Sequence, residues 1–195
     1  MSNMRSRSVS IVVPVWGEYI KFLPECVESI RNQTIPDIEI IVSDKFDNLP
    51  AARNAGIKQS NREYILCLDV DDKLKPNAIE RMLDEGGDII AFDREDQYGN
   101  PHPLEDNFEE FDFRQSNRII ACSMFKRELW EKIGGYDEKM VDGYEDWDFW
   151  LRAVTAGYKV TPIRETLYIQ NFREDSMIHD TAKKHIELKN YLLSK

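Results

Sequence analysis

The chain has 195 residues, 42% of them hydrophobic, which is enough for one domain with a sizeable core. Its formal charge of −10, from 26 basic and 36 acidic residues, argues against a nucleic-acid binder, because neutralising phosphates takes a lysine or arginine surface. No apolar run approaches the ~20 residues needed to span a bilayer, which leaves at most attachment to a membrane surface.

The N-terminal stretch MSNMRSRSVSIVVPVWGEY imitates a leader, but Pro14, the lack of a small-residue cleavage site and the immediate Glu18 point instead to a first strand and a cytoplasmic protein. Cys26, Cys67 and Cys122 are odd in number, far apart and set among apolar neighbours, as expected of buried thiols in a reducing compartment.

Strands covered on both faces are expected at Val9–Val15, Ile38–Ser43 and Tyr64–Leu68, short β-branched runs with little alternation. Between them the spacing predicts a helix over Glu18–Asn32, from Ile20, Leu23, Val27 and Ile30. A second is expected over Ala51–Gln59, and a third over Pro76–Leu83 with Pro76 at its first position. Strand and helix in alternation imply an α/β sandwich with a mostly parallel sheet. A strand follows at Asp88–Phe92, then a long loop or irregular hairpin over 94–115. A strand at Arg118–Phe125 leads into a helix at Lys126–Ile133, which Gly134 and Gly135 end. In GYEDWDFWLRAVTAGYKV, Trp147, Trp150, Leu151 and Val154 give a helix its apolar face and Gly157 stops it. Closing strands are expected at Tyr158–Pro162 and Thr166–Gln170, and a polar helix from about Thr181. No internal repeat and no Pro/Gly/Ser linker divides the chain.

The chemistry gathers in a few places. YILCLDVDD ends an apolar strand in Asp69, Asp71 and Asp72, like charges that need a cation, hydrogen bonds or protonation to coexist. Ligands of parallel α/β sheets bind at the carboxyl ends of strands, where Asp69 and Asp71 can together reach a hard divalent cation. Taken alone the motif equally suits a solvated acidic turn with Asp72 capping the next helix. Glu145 and Asp146 suit either a favourable charge at a helix N-terminus or a catalytic pair. Trp147 and Trp150 follow core spacing. Arg53 suits a surface ion pair as well as a ligand contact. The lysines Lys183, Lys184 and Lys189 suit a solvated helix face, or contact with an anionic membrane.

Three blocks, from SIVVPVWGEYIKFLPECVESIRNQTIPDIEIIVSD through LPAARNAGIKQSNREYILCLDVDDKLKPNAIERM to GGYDEKMVDGYEDWDFWLRAV, together resemble the family 2 glycosyltransferases of the GT-A fold, over nearly the whole chain up to about Met177. The resemblance implies one Rossmann-like α/β/α domain over 1–195. Residues 9–93 would form its nucleotide-binding half, 94–180 its acceptor half and closing loop, and 181–195 a C-terminal helix. It implies an inverting enzyme that moves a sugar from a nucleoside-diphosphate donor, foremost a UDP-sugar, to a carbohydrate or lipid-linked hydroxyl, using Mn²⁺ or Mg²⁺. The alternative is a non-catalytic sugar-nucleotide or glycan-binding module of the same fold. By position in the motifs, Pro14, Val15 and Glu18 would form the nucleotide edge. Asp44 would meet the base, Arg53 the base and phosphates, and Asp69 the ribose. The metal would rest on Asp71, with Asp69 beside it and His179 as a further ligand. Asp146 would be the catalytic base with Glu145 beside it, and Trp147 would flank the donor. Arg173 and Ser176, in REDSM, would belong to the closing loop. In one respect the chain departs from the pattern. Only KFDNLP separates Asp44 from Ala51, so a βα unit is missing and Asp47 could take over the base contact from Asp44. Nucleotidyl transfer on a similar core would want a glycine-rich, lysine-bearing loop after the first strand, which PVWGEY does not offer.

Overall fold

The computed structural model describes residues 8–44, 48–104, 107–173 and 184–195. β1 (Val9–Pro14) is buried along its whole length and pairs in parallel with both β2 (Ile38–Ser43) and β3 (Tyr64–Cys67). Pro14 costs the ladder with β3 nothing, since that register ends at Val12 opposite Cys67. β3 then pairs antiparallel with β7 (Met124–Lys126), and β7 antiparallel with β5 (Ile89–Asp96). β5 runs parallel to β8 (Val160–Gln170), and β4 (Lys73–Leu74) closes the far edge of the order β2-β1-β3-β7-β5-β8-β4. The two-residue β6 (Pro101–His102) hairpins onto β5.

Period-2 alternation sends the residues of β1 to two different cores. Val9, Ile11 and Val13 join Leu66, Ile90 and Phe92 beneath α1 (Leu23–Arg31) and α3 (Ala78–Glu85). Val12 turns the other way, to Ile65, Ile89 and Phe125, beneath α2 (Leu49–Gln59), α4 (Arg127–Ile133) and α5 (Glu145–Thr155). The result is the expected three-layer sandwich with a mostly parallel sheet. Cys26, Cys67 and Cys122 are all free and buried, and burial pushes the Cys26 and Cys67 thiols up to about 12. Among the described residues no helix is long and apolar enough to cross a membrane.

Several elements depart from the sequence expectation for identifiable reasons. The helix expected over Glu18–Asn32 is a 3-10 turn, Gly17–Phe22, followed by α1, with Pro24 in the first turn of α1. Proline is tolerated there because that N–H has no partner in a helix anyway. Pro76 does not start α3; it sits in a turn after β4, and the helix begins at Ala78. The strand expected at Arg118–Phe125 shrinks to Met124–Lys126, because its apolar residues Ile119 and Cys122 are buried from irregular backbone rather than from a ladder. The two closing strands are one, β8, whose register against β5 shifts around Asp93. The C-terminal helix, α6, spans His185–Leu193.

Gly56 shows how closely α2 lies on the sheet. A Cβ there would stand 2.3 Å from Val12 Cγ1, inside contact distance. Gly56→Ala is therefore expected to destabilise the fold by about 1–3 kcal/mol despite the better helix propensity of alanine, read as a lower midpoint in urea denaturation.

Candidate active site

Two acidic clusters face each other across the ends of β3 and α5, and Arg53 joins them. Asn48 caps α2 by accepting from the Ala51 N–H at 2.9 Å, which sets the helix so that Arg53 points inward at 1% exposure. Its Nη1 donates to Glu145 Oε1 at 2.7 Å and its Nη2 to Asp69 Oδ1 at 2.9 Å, while its plane lies 5.6 Å from the Tyr136 ring centre. Burial works against the Arg53 charge, but Asp69 and Glu145 outweigh it and hold its pKa well above the ordinary value. Tyr136 is held there by the next residue of α2. Asn54 donates to the Tyr136 carbonyl and to Glu138, and accepts from the Tyr136 N–H and the Trp130 indole, all at 2.9–3.0 Å. The turn it grips passes through Gly134 and Gly135 with φ of 80° and 78°, and a Cβ on Gly135 would lie 2.7 Å from Asn54 Oδ1.

The three aspartates after β3 have separate surroundings. Asp69 is one-third exposed and turned to Arg53. Asp72 is buried, accepting from the Tyr168 hydroxyl and, at 2.7 Å, from the Asn171 N–H. Burial and then the charge of Asp69 push its carboxyl up to about 8, against the pull of those hydrogen bonds. Asp71, whose carbonyl accepts from the Asn171 side chain, lines a cleft of about 290 Å³ with Phe22, Lys73 and Arg173. The Arg173 guanidinium lies 4.6 Å from the Phe22 ring centre and 5.6 Å from that of Tyr19, on the 3-10 turn after β1.

Asp146 occupies the first turn of α5, whose N-cap Tyr144 is held at φ 62°, a left-handed conformation rare for a bulky residue. Asp146 Oδ1 accepts from the Trp147 N–H at 2.7 Å and Oδ2 from Asn117 Nδ2 at 2.9 Å. Burial and then Glu145 push its carboxyl up to about 7, with Arg53 pulling the other way. A half-buried carboxyl titrating near neutrality suits a general base.

The structure thus brings Arg53, Asp69, Glu145 and Asp146 into one network and places Asp71 and Arg173 on one cleft. Arg53 reaches a ligand only through its partners, being wholly buried. Trp147 is 3% exposed, packed with Met140 and Leu192, its indole donating to the Phe113 carbonyl at 2.7 Å. Pro14 and Val15 are buried at the end of β1, whereas Glu18 and Asp44 are exposed. Ser176, His179 and Asp47 lie outside the described residues. Asn54, Asn117, Tyr168 and Asn171 complete the site without having been singled out in the sequence. Asn54 adjoins Arg53 in AARN, a cue that was available; the other three carry no local pattern.

Removing Arg53 would leave Glu145 buried without its partner. Arg53→Ala is expected to cost about 3–5 kcal/mol of stability, most of it on the Glu145 side because Asp69 can be partly solvated. Chemical denaturation of the variant beside the wild type measures it.

Known proteins resemble the chain along most of its length. The family model for glycosyl transferase family 2 matches residues 10–48 and 45–88, and one described as the N-terminal domain of galactosyltransferase matches 103–175. The two matches to the first model overlap at residues 45–48. An uncharacterised glycosyltransferase of Bacillus subtilis, YwdF, is 29% identical over 225 aligned positions, covering 94% of this chain and 81% of its own. That alignment is longer than this chain, so one partner or the other carries inserted residues within it. Another uncharacterised glycosyltransferase, from Methanocaldococcus jannaschii, is 26% identical and covers 86% of this chain and 71% of its own. Among solved structures, residues 1–349 of S. aureus TarS in complex with UDP-GlcNAc superpose with a TM-score of 0.76 at 15% identity, over 95% of this chain and 65% of TarS 1–349. The chain spans 42% of the longer TarS chain. A family 2 model over residues 10–88, glycosyltransferase relatives along most of the chain and a fold shared with TarS lead to one assignment: the chain is a glycosyltransferase of GT-A-like fold, similar in its first half to family 2.

Proposed function

We propose that the protein transfers a sugar, with inversion, from a nucleoside-diphosphate donor to a hydroxyl of a carbohydrate or lipid-linked acceptor. The observation that carries this is Asp146, a carboxylate raised to about 7 at the head of α5 and tied through Glu145 and Arg53 to Asp69. TarS, which shares the fold, has been solved with UDP-GlcNAc and with UDP, which favours a UDP-sugar as donor. In the proposed step Asp146 accepts the proton of the acceptor hydroxyl as its oxygen bonds to the anomeric carbon. The bond from that carbon to the diphosphate breaks on the opposite face, and its electron pair leaves with the nucleoside diphosphate. Glu145 holds Arg53 in place beside the base, and Arg173, gripped by Tyr19 and Phe22, offers a positive charge to the phosphates.

A divalent cation, Mn²⁺ or Mg²⁺, fits the donor set when the diphosphate completes it. Asp71 lines the cleft and Asp69 is one-third exposed, two hard oxygen donors of the number such ions take alongside substrate phosphates. Among the described residues no group of three or more His, Cys, Asp and Glu is arranged to hold a metal without a ligand. When bound, the cation would supply Lewis-acid stabilisation of the leaving diphosphate.

Two experiments test the proposal. Calorimetry with UDP is expected to show strong dependence on Mn²⁺ that Asp71→Asn weakens, since an amide cannot replace the charge; equal affinity in EDTA would refute the cation. Asp146→Asn is expected to leave donor affinity nearly unchanged while transfer falls about 10²-fold or more. Because only the ionised carboxylate accepts a proton, kcat/KM of the wild type should fall as pH drops through about 7. Wild-type transfer by the variant would reject Asp146 as base, and donor binding without transfer across a broad acceptor panel would favour a binding module.

A further inference from the structure

We infer that Asn117 is the positioning residue for Asp146, presented by a strap of irregular chain over residues 113–117 that clamps the first turn of α5. The strap is fixed at three points. The Phe113 carbonyl accepts from the Trp147 indole at 2.7 Å, the Gln115 carbonyl accepts from Lys189 Nζ of α6 at 2.9 Å, and Asn117 Nδ2 donates to Asp146 Oδ2 at 2.9 Å. The orientation of the amide follows from its other end. Asn117 Oδ1 accepts from the Ile119 N–H at 3.2 Å, so the NH₂ group is the end left for the carboxylate.

The contact matters because of what else surrounds Asp146. Glu145 beside it and Asp69 at the end of β3 disfavour its ionised form, and Arg53 of α2 favours it while already committed to those two acids. Tyr144 and Tyr136 feel the Asp146 charge, which with burial raises their own pKa values, and Lys189 of α6 lies over the Trp147 ring, 5.5 Å from its centre. Two N–H groups therefore stabilise the carboxylate directly, that of Trp147 on Oδ1 and that of Asn117 on Oδ2. The first comes with the helix. The second fixes the plane of the carboxylate, holds its ionisation near neutrality and leaves a lone pair on each oxygen for the acceptor hydroxyl. Its catalytic meaning rests on Asp146 being the base.

The test reads the carboxyl itself, so it does not depend on that reading. Asp146 is titrated by carbon-13 NMR of labelled aspartate, its signal assigned by its loss in Asp146→Asn. In Asn117→Ala, and in the near-isosteric Asn117→Leu, the midpoint is expected to rise by about one pH unit, the effect of losing one hydrogen bond to a charged group. An unchanged midpoint in a folded variant overturns the inference and leaves Asn117 a packing residue. The wild type supplies a readout that needs no substitution of Asn117: its side-chain amide protons should titrate with the same midpoint as Asp146, and a flat response overturns the inference as well. Transfer by Asp146→Asn decides separately whether that carboxylate is the base.

Discussion

A buried guanidinium shared by two carboxylates is the constraint on which the site depends. Removing Arg53 from water costs several kcal/mol, and nothing apolar could offset it. Its position is tolerable only with Glu145 and Asp69 both within 3 Å and the Tyr136 face beside it. Those partners come from the start of α5, the end of β3 and the turn after α4, so the ion pairs fix in space three elements that the chain keeps far apart. The acids at the head of α5 and the aspartates after β3 thereby keep one geometry without touching each other.

The same logic explains how LDVDD carries three carboxylates in four residues. Asp69 is balanced by Arg53. Asp72 is turned inward to Tyr168 and Asn171, whose hydrogen bonds relieve it against the burial and the Asp69 charge that push its carboxyl up to about 8. Asp71 lines the cleft, at whose wall Asp72 also stands. One run of like charge is thus divided among an ion pair, a hydrogen-bonded carboxyl and a ligand-facing group, each relieved by a different piece of physics.

The sheet was legible where sequence and structure share a period. Val9–Pro14 and Tyr64–Cys67 are short apolar runs because helices cover both their faces; Ile38–Ser43 reads the same way although, at the edge, it is only partly covered, and all three boundaries agree within a residue or so. Legibility failed where burial came from elsewhere. Ile119 and Cys122 are as buried as any strand residue yet belong to irregular chain, and Arg164 with Glu165 interrupts the apolar pattern of β8 without interrupting the strand. The site divides similarly. Aspartates at a strand end and acids at a helix start announce themselves through local position. Asn117, Tyr168 and Asn171 act through contacts made by folding 29 to 100 residues apart, and an asparagine in an irregular stretch looks the same whether it meets a base or water.

The edge of the sheet at β2 carries its own protection. Among the described residues β2 pairs only with β1, and its apolar residues are incompletely covered, Val42 being 39% exposed. An unprotected edge of this kind invites pairing with other chains. Here Asp37, Glu39 and Asp44 place negative charge along the strand and at both its ends, Glu39 being held by Ser10 within the sheet. The cleft that Asp71 lines lies apart from that edge: none of its described lining residues belongs to β2, and its positive charge comes from Lys73 and from Arg173 with its aromatic partners. A cleft lined by a carboxylate and a guanidinium suits a diphosphate with its cation, the part that every nucleoside-diphosphate sugar has in common.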